Sequence, residues 1–498
     1  METELKFALS SDARERIERR LGTGAERANK THHDHSVYFD TSDLALKDAG
    51  YTLRVRHRSS SNRFVQTVKS RASSGLQRDE WEWPVDGERP ELKYLSEVPG
   101  LPSALRRLDL TLEPVFETDV DREVEIVAPD EGAKVELAFD HGVIAAGAKR
   151  EPLSEFELEL KEGPVDSLLR LGLDFLRDAP LSLMSESKAD RGYRLYDGSL
   201  PQATKAPAVE LDADADVRSA FRVLLAAALD HLMVNQPAAI RGEQVEGVHQ
   251  MRVAIRRLRS LLMLFEPCLE TCTASRFEAE LKRLGQVLGA ARDWDVFVTE
   301  TLPAITEDGA DRHWIGMLRD RAGEKRHAAH QAATKAILES EFARFVLALS
   351  AWSRCGDVAF RDGEADRRLA ELAPEVLERL ASKALKRAAE SDADDPESLH
   401  ALRKSTKKLR YGIEYLRGLY GDDAQSYHKR CDRLQKHLGR INDIETALTL
   451  GAELTEQGRT DLAPALGLVE HWSEKRLGKL GKRLDDVRSA FERERPFW

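Results

Sequence analysis

The 498-residue chain has little cysteine, few aromatics and no long apolar run. Its four cysteines are Cys268, Cys272, Cys355 and Cys431. Cys268 and Cys272 are close together, but no second pair follows at zinc-ligand spacing. Ordinary reduced thiols are the reading, and a disulfide framework is excluded. No stretch approaches the roughly 20 apolar residues that a membrane span needs, and no apolar leader precedes the first strand pattern. A cytoplasmic protein with no membrane partner is expected. Aromatics make up only 6% of the residues, and few interleave with the basic ones. Bases would find little to stack on, which argues against nucleic acid. The net charge of -11 would argue against any polyanion, but the basic residues are clustered, and local fields decide binding.

Charged residues are 33% and hydrophobic residues 41%, the balance of a soluble globular protein long enough for two or more domains. The two halves follow different periods. Up to about Tyr196, alternating segments dominate: YTLRVRHR (51–58), RFVQTVKS (63–70), RDEWEWPV (78–85), KVELAFDHG (134–142) and EFELELKEG (155–163). Turn signals at Ser73–Gly75 and His141–Gly142 punctuate these strands. Helical segments near 10–21 and 165–177 interrupt them. A Pro- and Ala-rich stretch follows and reads as a linker. Beyond it the period is helical. The division expected is a β domain over 1–200, a linker over 201–214 and an all-α domain over 215–498.

The helical half repeats itself. VHQMRVAIRRLRSLLMLF (248–265) matches LHALRKSTKKLRYGIEYL (399–416), and RLGQVLGAARDWDVF (283–297) matches RLQKHLGRINDIETA (433–447). Both matches have an offset of about 150 residues, the mark of a duplicated unit. Two bundles related by a pseudo-twofold are expected, over about 215–365 and 366–498.

In the first half, the charges keep strict alternation. Glu2, Glu4 and Lys6 share one face of the opening strand, because successive side chains point to opposite faces. Glu157, Glu159 and Lys161 nearly copy them, with Phe156, Leu158 and Leu160 opposite. Arg54, Arg56 and Arg58 share a face, and so do Glu136 and Asp140. For one strand alone, a solvated face of a half-buried sheet is the ordinary reading. Several strands carrying both signs suggest instead a closed barrel lined by charge. Such a lumen needs a ligand with both kinds of countercharge, since a buried unpaired charge is costly. A metal-bound polyphosphate qualifies. Carboxylates take a hard divalent cation, and guanidinium and ammonium groups take phosphate oxygens.

These residues lead to a resemblance. The opening Glu2-Thr3-Glu4-Leu5-Lys6, YFDTSDLALKDAGYTLRVR (38–56), TVK (67–69), ELAFD (136–140), ELELK (157–161) and SKADRGY (187–193) occur in the order of the CYTH domain. Residues 1 to about 196 resemble that domain, the triphosphate tunnel metalloenzyme fold. The resemblance implies an eight-stranded antiparallel tunnel with flanking helices that acts on triphosphates with Mg²⁺ or Mn²⁺. It implies Glu2, Glu4, Asp140, Glu157 and Glu159 as metal ligands. Lys6, Arg54, Arg56, Lys69, Lys161, Lys188 and Arg191 would be triphosphate ligands, and Arg122 a further one. Arg78, Glu80, Glu82 and Glu136 could also line the tunnel, or sit on a solvated edge. THHDHSVYFD (31–40) crowds His32, His33 and His35 around Asp34. It reads as an exposed loop before a strand, or as a transition-metal site.

In 248–265, Met251, Ile255, Leu258, Leu262 and Phe265 form an apolar stripe. His249, Arg252, Arg256 and Arg259 form a second stripe beside it. The repeat places His400, Arg403, Lys407 and Arg410 likewise, with Lys404, Lys408 and Tyr411 alongside. A solvated basic face is the ordinary reading, but both copies keep the histidine and the stripe. Asp293 and Asp443 would either orient these cations or serve as helix-end polar residues. This half resembles the CHAD domain, an all-helical domain, which implies a surface for inorganic polyphosphate. Many exposed cations hold a long polyanion through counterion release.

Together the two resemblances make a multidomain α+β protein, with inorganic triphosphate as tunnel substrate and polyphosphate on the helical half. Hydrolysis of tripolyphosphate is the first expectation. Thiamine triphosphatase or another organic triphosphatase is the alternative within enzymes. A class IV type adenylate cyclase finds no purine pocket in the sequence. A non-catalytic polyphosphate receptor that localises the protein is the alternative outside enzymes.

Overall fold

The computed structural model describes residues 2–22, 30–59, 61–70, 77–107, 109–212, 214–242, 245–354, 360–455 and 462–498. The turn expected at Ser73–Gly75, Cys355 and the side chain of Cys272 lie outside the described residues. The chain forms two compact units. One comprises 1–204 with 233–241 and 335–356; the other comprises 205–232, 242–334 and 357–498.

Among the described residues the first unit has ten strands: β1 (Glu2–Ala8), β2 (Lys30–Asp40), β3 (Tyr51–Arg58), β4 (Arg63–Ser70), β5 (Gln77–Arg78), β6 (Glu80–Val85), β7 (Glu113–Val127), β8 (Lys134–Ala146), β9 (Lys149–Glu162) and β10 (Ser182–Leu183). β5 and β10 are two residues each; the others are the long strands of the expected tunnel. The order is β10-β1-β9-β8-β7-β2-β3-β4-β6. β5 then pairs back onto β1, with Glu2 opposite Arg78, while β6 pairs with β4, Lys69 opposite Glu80. The stretch 77–85 therefore bridges the two edges and closes the ring. Closure removes the unpaired edges that an open sheet would leave.

Helices α1 (Ser11–Leu21), α2 (Ala45–Asp48), α3 (Val165–Asp178) and α4 (Lys188–Asp197) belong to the same unit. The outside of the barrel is apolar and covered. Leu5, Phe7, Leu137, Phe156 and Leu158 are buried, and Phe156 meets Phe139 and Phe175 at ring distances of 4.8 and 5.1 Å. α2 covers the outer face of β3, where Leu46, Leu53, Val55 and Val68 form a second cluster. With the apolar faces committed outward, alternation forces the charged faces inward.

α4 enters one end of the ring. Its Ala189 and Tyr193 cluster with Tyr38, Phe116, Val120, Ile144 and Leu153, all of which share the inner faces of their strands. Gly192 admits this close approach, because a Cβ there would run into the Phe116 ring. The Tyr193 hydroxyl donates to the fully buried Asp40 at 2.8 Å. Asp40 also accepts from the backbone N–H of Thr41, Leu46 and Lys47. That carboxylate ties α4, β2 and the start of α2 together.

The remaining helices are α5 (Val217–Val234), α6 (Gln236–Arg241), α7 (Val245–Leu264), α8 (Thr271–Val296), α9 (Leu302–Glu307), α10 (Arg312–Leu338), α11 (Ser340–Arg354), α12 (Leu369–Ala389), α13 (Pro396–Leu416), α14 (Asp423–Thr455) and α15 (Ala463–Glu492). The sequence repeat falls on α7 and α8 and on α13 and α14. Each forms a packed pair, and α7 packs on α13. The expectation of no long apolar stretch needs correction. Val217–Arg241 is long and apolar enough to cross a membrane by length and composition. Phe221, Leu224, Leu225 and Leu232 of that stretch are buried, as in a core helix.

Candidate functional site: a charged tunnel and a cationic helix pair

Ring order and register decide which charges meet. β8, β9, β1 and the β5–β6 stretch form a continuous arc that carries Glu136, Asp140, Glu155, Glu157, Glu159, Glu2, Glu4, Glu80 and Glu82. The opposite arc of β4, β3, β2 and β7 carries Lys69, Arg54, Arg56, Arg58 and Arg122. Lys6, Lys161 and Arg78 stand on the acidic arc, and Asp34 on the basic one. The lumen is thus polarised: carboxylates along one wall, guanidiniums along the other.

Burial is deep for charged groups. Lys6 is 7% exposed, Asp140 1%, Glu155 1% and Glu157 7%. The two walls neutralise each other. Arg122 holds Asp140 by two bonds of 2.6 Å and Glu157 by one of 2.5 Å. Lys188, at the start of α4, lies 2.8 Å from Asp140, 2.7 Å from Glu155 and 2.6 Å from Glu157. A capping box of Ser187 and Asp190 starts that helix and so fixes where Lys188 projects. Lys6 bridges Glu4 at 3.5 Å and Glu157 at 3.3 Å. Lys69 bridges Glu2 at 2.6 Å and Glu80 at 3.1 Å. Lys161 meets Glu159 at 2.7 Å and Glu136 at 3.6 Å. Arg56 lies 3.1 Å from Glu82 and 3.6 Å from Asp34.

The electrostatics follow. Burial would raise the Glu157 pKa, but Lys188, Lys6 and Arg122 outweigh it and hold it well below the ordinary range. Glu2 goes the other way: burial and then Glu4 push its pKa up despite Lys69. Glu159 is likewise raised, by burial and then by Glu2 and Glu136 acting against Lys161. Burial and then the neighbouring Arg54 pull Arg56 down to about 10. The wall around Glu2 and Glu159 therefore favours an added cation, and the Arg54–Arg56 wall an added anion.

The donor chemistry fits a hard divalent ion. Glu4 and Glu159 are direct cross-strand partners, and Glu2 follows on the same face. Oxygens of Asp140, Glu155 and Glu157 also lie within 4.8 Å of one another, but Lys188 already occupies their centre.

Several expected residues meet as a group, and others do not. Arg191 aims its donors at Glu151 (2.8 Å), Glu155 (2.7 Å) and the Pro152 carbonyl (2.7 Å), so it positions acids from outside the lumen's centre. Arg78, Glu80 and Glu82 share the inner face of their strands, with Arg78 and Glu80 half-buried and Glu82 exposed at the rim. Residues 31–40 form β2, which corrects the loop reading. Alternation also separates the three histidines. His33 faces outward to Asp119 and Asp121, and His35 to Glu117, whereas His32 faces inward. They cannot hold one metal together. Sequence reasoning put Arg58 on the charged face but singled out neither Asp34 nor Glu155 as lining the lumen. Each sits two positions from a residue that faces the lumen, and extending the alternation by one step would have found them.

In the helical unit the two basic stripes converge on each other. Arg252 and Arg256 of α7 act electrostatically on Lys407 of α13, as do Arg403 and Arg410. Burial comes first and these cations second, and together they pull Lys407 down to about 6. Arg252 lies 3.8 Å from Asp293. Asp293 and Asp443 lie within α8 and α14 and act electrostatically on Arg403. His249 faces Arg292, and His400 faces Asn442, the equivalent position in the repeat. Lys404, Lys408 and Arg259 form a second, more exposed group. Arg410 is tied to Gln435 at 2.7 Å and Glu414 at 3.0 Å.

Comparison with known proteins agrees with this division. The CYTH domain family model matches residues 1–193 and the CHAD domain model residues 223–452. An inorganic triphosphatase of Haemophilus influenzae is 36% identical over 167 residues, covering 32% of this chain and 45% of that protein. An uncharacterised protein of Mycobacterium tuberculosis is 28% identical over 257 residues, covering 46% of this chain and 49% of that one. The chain thus spans about half the length of the curated relatives it matches. The solved CHAD domain from Ricinus communis is 33% identical, with 59% of this chain and 98% of that chain covered and a TM-score of 0.53. The chain belongs to the CHAD-domain proteins and carries a CYTH domain ahead of its CHAD domain.

Proposed function

We propose that the tunnel hydrolyses inorganic triphosphate to pyrophosphate and phosphate with Mg²⁺ or Mn²⁺, and that the helical cluster binds inorganic polyphosphate. The observation that carries the tunnel reading is the polarised lumen: an acidic wall, fully buried at Asp140, Glu155 and Glu157, facing a half-buried basic wall. A metal–triphosphate supplies each wall with its countercharge and replaces the internal ion pairs one for one. The similarity to a Haemophilus influenzae inorganic triphosphatase supports the same reaction class.

Glu2, Glu4 and Glu159 would hold the metal, with Asp140 and Glu157 behind them. A bound divalent ion would supply Lewis-acid polarisation of phosphate oxygens. The chain's own part is positioning. Arg54 and Arg56, with Lys69 and Arg122, hold the phosphate oxygens, the task that planar guanidinium suits. Lys6, Lys161 and Lys188 neutralise the charge that spreads over the transferred group. Arg191 positions Glu155, and through it Lys188. α4 closes one end, so the substrate enters from the other, where Glu136 and Lys161 are part-exposed.

On the helical unit, Arg252, Arg256, Arg403 and Lys407 form the centre of the polyphosphate site, with His249, His400, Arg410, Lys404, Lys408 and Arg259 around it. The free and buried thiols Cys268 and Cys431 support a cytoplasmic setting.

The deciding measurement is phosphate release with Mg²⁺ from tripolyphosphate, ATP and thiamine triphosphate side by side. Preference for tripolyphosphate supports the proposal, and preference for thiamine triphosphate replaces the substrate. Release from none leaves a receptor.

A further inference from the structure

His32 is the one lumen-facing histidine on β2. It stands opposite Arg122 of β7, and Asp34, the next residue on the same face, stands opposite Arg58 of β3. The imidazole is 9% exposed. Its Nε2 lies 3.6 Å from Asp34 Oδ2, beyond hydrogen-bond distance, and has no hydrogen-bond partner among the described residues. Asp34 meanwhile turns to Arg58 at 3.3 Å and Arg56 at 3.6 Å. The charged groups that act on the ring are Asp34 on its own strand, Arg56 and Arg58 on β3, and Arg122 on β7. Three guanidiniums face it against one carboxylate. Burial first, and then Arg58, Arg122 and Arg56 against the pull of Asp34, hold its pKa below the ordinary value. The ring is therefore neutral at pH 7, with a buried nitrogen that none of the described residues satisfies. Such a group is costly unless a ligand completes it.

We propose that His32 contacts the substrate, directing Nε2–H at a phosphate oxygen held between Arg56, Arg58 and Arg122. This rests on the triphosphate reading of the tunnel. It has a second consequence. A polyanion seated among these groups offsets the three guanidiniums and favours the imidazolium. Substrate binding then draws a proton onto His32, and affinity rises as pH falls from neutral.

The test uses the full chain with Mg²⁺ and tripolyphosphate, reading KM, kcat and their pH dependence for His32→Leu and His32→Gln. Leu can neither donate nor ionise. Its KM should rise about tenfold at pH 7, the loss of one hydrogen bond to a charged partner. Gln can donate but not ionise, so its KM at pH 7 should stay near wild type while the gain on acidification disappears. Thermal midpoints and long-chain polyphosphate binding establish that each variant is folded. If Leu does not fold, Gln alone decides, and a wild-type pH dependence in Gln overturns the proposal. A Leu variant with wild-type KM overturns it too, while leaving the triphosphatase reading intact. A wild-type protein that neither binds nor hydrolyses tripolyphosphate overturns both.

Discussion

Arg122 and Asp140 face each other across β7 and β8, joined by two parallel hydrogen bonds of 2.6 Å. The same guanidinium reaches Glu157, so one side chain links the basic wall to two strands of the acidic one. Removing one partner of a buried pair leaves the other charge uncompensated. Asp140→Ala should destabilise the β unit by about 3–5 kcal/mol. Denaturant unfolding followed by a probe in that unit checks this, and a loss below about 1 kcal/mol would mean that water reaches the pair.

Acid should unfold the tunnel through Glu157. Its folded pKa lies well below the reference value of 4.5, because Lys188, Lys6 and Arg122 outweigh the burial that opposes its charge. A depressed carboxyl binds fewer protons folded than unfolded, so its contribution is complete above about pH 4.5 and is lost as pH falls below that. The thermal midpoint should therefore fall below pH 4.5. Lys188→Met should weaken that dependence. An acid limb identical in the variant would remove Lys188 as the cause.

Glu4→Gln keeps the size of a side chain placed directly opposite Glu159 but removes the charge that the proposed function gives to the metal. Metal-dependent phosphate release should fall about 100-fold or more, with the metal concentration for half-activity raised. Full turnover in the variant would take Glu4 out of the metal role.

Lys407 opposes stability, and in the proposed function it serves binding. Its pKa of about 6 lies below that of the unfolded side chain, so the folded state binds fewer protons between pH 6 and 10.5. The sign is that stability rises with pH through this window and is lowest below pH 6. Lys407→Met should raise the thermal midpoint at neutral pH and weaken polyphosphate binding. In the wild type, bound phosphate should draw a proton onto Lys407, so affinity should fall as pH rises above about 6. Calorimetry in two buffers of different ionisation enthalpy reads that proton directly. Charge reversal at Arg252, Arg256 and Arg403 should abolish binding while sparing phosphate release. Salt should weaken wild-type binding steeply.

Much of the architecture was legible in the residues. Strict alternation of Glu2, Glu4 and Lys6 against Leu5 and Phe7 assigned faces, because the strand period is two and the apolar side must be covered. The repeat at 248 and 399 announced two related helix pairs. β2 was misread because three histidines and an aspartate resemble a polar loop. Pairing to β3 and β7 overrode that local composition. Val217–Arg241 was not singled out as an apolar stretch, because scattered polar residues break up what is a continuous buried face.

Period and charge pattern by themselves determined which side chains share a face and which half is helical, since both depend only on neighbours along the chain. Which faces look at one another is a different matter. Ring closure through the two residues of β5, the entry of α4 between opposing walls, and the meeting of Arg252 with Arg403 each join residues far apart in sequence. Only tertiary packing could decide those, because the energy of a charge is set by what lies within a few ångströms of it, and the order of residues along a chain does not specify that distance.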